Sequence, residues 1–213
     1  MKYIFVAGAP GSKWSSVVKN IYYSPSIDHS DFRDERTYWH DASGEYQLMH
    51  LGAYFDPGME FSLPESLSTL TKKQAEELFD APFNGEGVRI IKSHIFCYQE
   101  NIEYLRELWP ECPIVAVHRD NDSCLGWWVR CGHFGITYPN YEPYYKDLKT
   151  MAKIINRQNC ELEDCTFRMK AHRVYNNNRL VYIKISFGII GILYKFDFKK
   201  NGTTKEQFRE NYF

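Results

Sequence analysis

Short, nearly continuous apolar runs alternate along this chain with longer stretches in which apolar residues recur every three or four positions. Residues 3–7 (YIFVA) form the first such run and lead into Gly8, Pro10 and Gly11, the pattern of a strand buried on both faces and ended by a tight turn. Residues 13–21 follow with Trp14, Val17, Val18 and Ile21 on one helical face, and Ser12 is placed to cap that helix. Residues 88–92 (VRIIK) and 114–117 (IVAV) read as further buried strands. Good helix formers fill residues 71–79, an amphipathic helix covers 100–109 until Pro110 ends it, and another covers 144–155. Asp120 or Asp122 is placed to cap one more helix, through Cys124, Leu125, Trp127 and Trp128. Strands that alternate with helices predict an α/β fold with a central parallel sheet.

Two stretches depart from this rhythm. Residues 22–68 carry Pro, Asp, Ser and Gly with little periodicity and read as long loops with aromatic anchors, a length that usually marks function. Beyond residue 159 the chain turns rich in Asn, Lys, Tyr and Ile and reads as strands with a turn at 176–178. The expected organisation is one α/β domain over residues 1–160, with a β-rich or mixed extension over 161–213 packed on it.

Composition narrows the picture. With 213 residues the chain can bury one substantial core. A formal net charge of -1 excludes the strong basic excess of a dedicated nucleic-acid binder. The six cysteines (Cys97, Cys112, Cys124, Cys131, Cys160 and Cys165) form no CxxC pair, and Cys124, Cys131 and His133 fit no familiar zinc spacing. Reduced thiols and no metal are the expectation. The opening MKYIFVAGAPGS has neither the long apolar core nor the cleavage site of a secretory leader, and residues 185–194 fall short of a bilayer span. A cytoplasmic protein without a membrane span is expected.

Three polar clusters each follow a predicted strand. In the first, Gly8-Ala9-Pro10-Gly11-Ser12-Lys13-Trp14-Ser15-Ser16, backbone N–H groups and the positive end of a helix form an anion seat. Lys13 adds a cation, and Ser12, Ser15 and Ser16 add hydroxyls suited to phosphate oxygens. The Walker A pattern GxxxxGK[ST] does not fit here. The second cluster, Lys92-Ser93-His94, puts an imidazole beyond the carboxyl end of a strand, where α/β folds bind ligands. His94 can accept a proton near neutral pH, and Lys92 can stabilise charge on a bridging oxygen. The third, His118-Arg119-Asp120-Asn121-Asp122-Ser123, offers the planar Arg119 fork for a phosphate, with Ser123 about one helical turn on. Each cluster also has a plain structural reading: a bare turn, a core histidine, and an ion pair of Arg119 with Asp120 or Asp122.

Taken in order, these pieces resemble the cofactor core of the sulfotransferases that use 3'-phosphoadenosine 5'-phosphosulfate. The resemblance covers roughly the first 130 residues and implies a three-layer P-loop-type fold. It implies that Pro10, Gly11, Ser12, Lys13, Trp14, Ser15 and Ser16 hold the 5'-phosphosulfate. Lys92 and Lys13 would stabilise the transferred group, His94 would act as base, and Arg119 with Ser123 would hold the 3'-phosphate. The chain departs from the family pattern in three places. Gly11 stands where a Lys or Arg follows the Pro, Trp127 stands where a second phosphate-binding Ser is usual, and 198–202 (FKKNG) matches the Arg-Lys-Gly loop only faintly. The implied activity is sulfuryl transfer from that co-substrate to a hydroxyl or amine on a small-molecule or glycan acceptor. The aromatic-rich segment 38–61 is the expected acceptor-side lid, with His40, His50 and Asp56 as alternative acid/base groups. A P-loop kinase, or a binding module without turnover on the same fold, are the alternative readings.

Overall fold

The computed structural model describes residues 1–22, 24–31, 37–39, 46–48, 52–57, 61–130, 142–168, 172–176 and 179–184. The first strand, β1 (Tyr3–Ala7), is buried along its whole length. It lies between β5 (Arg89–Ser93) and β6 (Ile114–His118), parallel to both. On the far side of β5 the two-residue β4 (Ala53–Tyr54) is also parallel. Four parallel strands in the order β4-β5-β1-β6 therefore form the centre of an α/β fold. Two further strands, β7 (His172–Asn176) and β8 (Arg179–Lys184), pair antiparallel to each other, and β8 pairs antiparallel to β6. A separate short hairpin joins β2 (Thr37–Trp39) to β3 (Tyr46–Leu48).

Period-two alternation assigns the two faces of the sheet. Ile4 and Val6 of β1, Ile90 of β5 and Val115 and Val117 of β6 face one cluster. That cluster takes in Trp14, Val17, Val18 and Ile21 of α1 (Trp14–Tyr22) and Cys124 and Trp128 of α4 (Asn121–Arg130). Tyr3, Phe5 and Ala7 face the other way, with Ile91, Ile114 and Ala116. They meet Ala75 and Phe79 of α2 (Lys72–Asp80) and Ile102 and Leu105 of α3 (Gln99–Leu108). Tyr3, Phe5, Phe79 and Trp109 pack there with ring centroids 5.6 to 5.9 Å apart, an arrangement that adds edge-to-face attraction to the apolar burial.

The element ends are chemically legible. Thr71 caps α2 in a reciprocal capping box with Gln74. Asp120 caps α4, its Oδ1 accepting the Ser123 N–H at 2.8 Å, which selects Asp120 over Asp122. The expected cap on α1 is corrected: Ser12 Oγ has no hydrogen-bond partner among the described residues. Lys13 intervenes with φ +60°, which sets Ser12 one residue too early to reach the first turn. After the short α5 (Glu142–Tyr145), the expected helix over 144–155 starts at Leu148 and runs on as α6 (Leu148–Arg168), past residue 160.

α6 joins the two halves of the core. Met151 and Ile155 enter the first cluster, and Leu162 and Cys165 enter the second. Its Asn159 Nδ2 donates to Arg119 O and Asn121 Oδ1 beyond β6. Its Glu161 Oε2 accepts the Gln99 N–H at the start of α3. The helix thus touches the segments that leave the carboxyl ends of both β5 and β6. Among the described residues, no helix is long and apolar enough to cross a membrane.

Candidate functional site

Register brings the three polar clusters to one level. Ala7 of β1 lies beside Ser93 of β5 and Ala116 of β6, so the residues that follow each strand emerge together at the carboxyl edge. β5 and β6 flank β1 on opposite sides, and an open α/β sheet binds ligands at such a crevice.

The loop from Gly8 to Lys13 is held from both sides. His94 Nδ1 donates to Gly8 O, and Arg119 Nη1 donates to Gly11 O at 2.9 Å. Gly11 has φ +82°, and a Cβ there would lie 2.1 Å from Cys124 O. Only glycine fits, because the loop backbone presses against the backbone of α4. A Cβ on Gly8 would lie 2.7 Å from Ser12 Oγ. Ser12 is 1% exposed, and its hydroxyl, without a partner among the described residues, adjoins the start of α1. A buried hydroxyl in that state is the kind of group a bound oxyanion satisfies.

His94 sits on the floor of the loop, 3% exposed. Its ring stacks on Trp14 at 4.1 Å and 9°, and Tyr54 meets it edge-on at 5.5 Å. Because a carbonyl only accepts, the nitrogen facing Gly8 O carries the proton. Nε2 is then the basic nitrogen, and it lies 3.9 Å from Asp56 Oδ2. Asp56 is fully buried. Its Oδ1 accepts from Ser93 Oγ at 2.9 Å and from the His94 N–H at 3.1 Å, and its Oδ2 accepts from Tyr54 Oη at 2.6 Å. Burial dominates both partners: it holds His94 below its ordinary range and raises Asp56 above the ordinary carboxylate range. Lys92 is fully buried beside them, with Nζ 5.8 Å from the Trp14 ring centre, and its charge pushes His94 lower still.

The other expected site residues fall as follows. Lys13 extends over Trp127, with Nζ 3.9 Å from the ring centre, a cation–π contact. Pro10 is buried, and Ser15 is partly exposed on the first turn of α1. Ser123 is turned toward Asp120, whose carboxyl is held low by the Ser123 N–H and then by its hydroxyl. The loop, His94 and Arg119 therefore adjoin one another directly. Ser123 stands one step off, bound into the cap of α4.

The side chain of Ser16, His40, His50, Cys131, His133 and residues 198–202 lie outside the described residues, as does part of the expected lid. Among the described residues no group of three or more His, Cys, Asp or Glu is arranged to hold a metal ion. Sequence reasoning gave Asp56 only as an alternative acid/base group on a loop, whereas it sits in the floor of the site. The signal was present in Ala53-Tyr54-Phe55, a short apolar run ending in Asp56, but a two-residue strand leaves too short a pattern to read. The chain matches no family model, no curated protein and no solved structure.

Proposed function

We propose that this crevice binds 3'-phosphoadenosine 5'-phosphosulfate on a P-loop-type fold and passes its sulfuryl group to a hydroxyl or amine acceptor. The observation that carries the reading is the pair of bonds to the loop, from His94 to Gly8 O and from Arg119 to Gly11 O. They join the glycine turn, Lys92-Ser93-His94 and the strand-terminal Arg119, the three segments that resemble the sulfotransferase cofactor core.

In this reading the loop amides and the Ser12 hydroxyl hold the phosphosulfate. Lys13 leaves Trp127 to meet it, and Lys92 supports the charge that develops on the bridging oxygen. Arg119 retains guanidinium N–H groups that make no hydrogen bond within the described residues, and these take the 3'-phosphate. Ser123 joins it by releasing Asp120. The acceptor oxygen or nitrogen bonds to sulfur as the sulfur–oxygen bond to the phosphate breaks. His94 Nε2 takes the acceptor proton, and adenosine 3',5'-bisphosphate departs with the electron pair. Positioning and charge stabilisation supply most of the rate.

One observation favours a second reading, a binding module without turnover: His94 is buried and both its ring nitrogens face protein atoms. Calorimetric titration with adenosine 3',5'-bisphosphate and with ATP tests the site itself. Binding of the bisphosphate in preference to ATP is expected, and no detectable binding of the bisphosphate sinks the proposal. His94→Ala and Lys92→Ala then separate enzyme from module: each should abolish turnover while the nucleotide still binds.

A further inference from the structure

A second concave surface lies beside the crevice, between the start of α6 and the segment that leaves β5. Its volume is about 390 Å³, and it is lined by Glu65, Tyr98, Tyr144, Lys146, Thr150, Lys153, Ile154 and Arg157. Thr150, Lys153, Ile154 and Arg157 follow one another at helical spacing, so α6 turns a single face toward it. Tyr98 ends the 3-10 helix His94–Cys97, which places this wall four residues from the imidazole. The Tyr144 phenol is raised chiefly by burial and next by its hydrogen bond with Tyr98.

The chemistry of the lining selects a ligand class. Three cationic side chains face one carboxylate, Glu65, and that carboxylate is already within 3.5 Å of Arg157. Arg157 is braced further by Glu161 at 2.7 Å and lies over Tyr98, with Cζ 4.2 Å from the ring centre. A guanidinium fixed on an aromatic face is preorganised for a planar anion. Lys146 and Lys153 form no ion pair among the described residues, so the excess charge is theirs. The two phenol oxygens lie 3.4 Å apart and, with Thr150, supply neutral polar handles. Ile154 and the rings of Tyr98 and Tyr144 give the surface its apolar portion.

From this arrangement we infer that the groove binds a hydroxyl-rich ligand carrying carboxylates, with Lys153 and Lys146 taking the negative charge, the braced Arg157 orienting it, and Tyr98, Tyr144 and Thr150 taking the hydroxyls. As a binding site it stands without the nucleotide reading. Its role as the seat of the sulfuryl acceptor rests on that reading, because only then does a hydroxyl presented beside His94 have a reaction to enter. A free sugar acid and an acidic saccharide chain share the same chemistry, and they differ in how many lining cations they engage at once.

The test is equilibrium binding of galacturonate, trigalacturonate and neutral maltotriose to the full chain, at low and raised salt. Trigalacturonate should bind and weaken with salt, while maltotriose should not bind. Galacturonate equal in affinity to the trimer assigns the site to a free acid, and a much weaker monomer assigns it to a chain. Charge reversal at the two exposed lysines, Lys146→Glu with Lys153→Glu, should lower trigalacturonate affinity about tenfold or more. The same variant should keep its thermal midpoint and its affinity for adenosine 3',5'-bisphosphate. Equal binding of maltotriose, no binding of either acid, or an affinity indifferent to the double reversal overturns the inference. Loss of bisphosphate binding by the parent protein, with trigalacturonate still bound, overturns the nucleotide reading and leaves this one in place.

Discussion

His94 carries opposing demands in one side chain. Its Nδ1 proton ties the loop through Gly8 O, while burial favours the uncharged ring. A histidine held below its ordinary value of 6.5 refuses a proton that the unfolded chain accepts. The stability it contributes is therefore complete above about 6.5 and is lost as the pH falls toward its folded value. Asp56, raised above 3.8 by burial, has the opposite sign: its contribution is complete below 3.8 and is lost as the pH rises through its folded value. Urea unfolding at pH 7.5 and 5.5 reads the balance of the two. The parent protein should lose stability at a rate approaching about 1 kcal/mol per pH unit below 6.5, and His94→Gln should flatten that slope. His118, also held low by burial, is common to both proteins and cancels in the comparison. An unchanged slope in the variant would show that the folded protein protonates His94 as readily as the unfolded chain does.

At the scale of elements, the loop between β1 and α1 is the most constrained piece of backbone. Gly11 combines a left-handed conformation with an approach to Cys124 O that leaves no room for a methyl group. Gly11→Ala should cost about 2–4 kcal/mol by chemical denaturation, the sum of left-handed strain and overpacking. A loss under 1 kcal/mol would mean that the loop and α4 part easily. The strands and helices that frame this loop were readable because their patterns are long. Five apolar residues in β1, the spacing of Trp14, Val17, Val18 and Ile21, and the Pro110 stop each repeat a local rule. What escaped reading is short or tertiary. β4 has two residues, too few for a period, and the departure of Ser12 from its capping role depends on the unusual conformation of Lys13. The convergence of Gly8, His94 and Arg119 was expected from three strand ends alone. Asp56 and Asn159 were not assigned to it, because their partners lie 37 to 40 residues away in sequence.

For the molecule as a whole, the thiols report how tightly the core is closed. Cys97, Cys112, Cys124 and Cys165 are buried and Cys160 is exposed, all as free thiols. Burial raises Cys97 and pushes Cys124 up to about 12, which suppresses the reactive thiolate at neutral pH. In a Cys131→Ser background, a thiol reagent at pH 7.5 should label one equivalent quickly, at Cys160, and the other four only on denaturation. Fast labelling of two or more equivalents would show that the core on at least one side of the sheet opens at low cost.

The placement of α6 carries that closure further. The first half of its buried stripe, with Met151 and Ile155, belongs to the core on one side of the sheet, and the second half, with Leu162 and Cys165, to the core on the other, so the helix works as a keystone. Loosening either half of the interior pulls on a helix that is also anchored in the other half. Lifting the same helix would also release Arg119 and the start of α3 together, which makes the rigidity of the crevice a property of a segment well outside it in sequence.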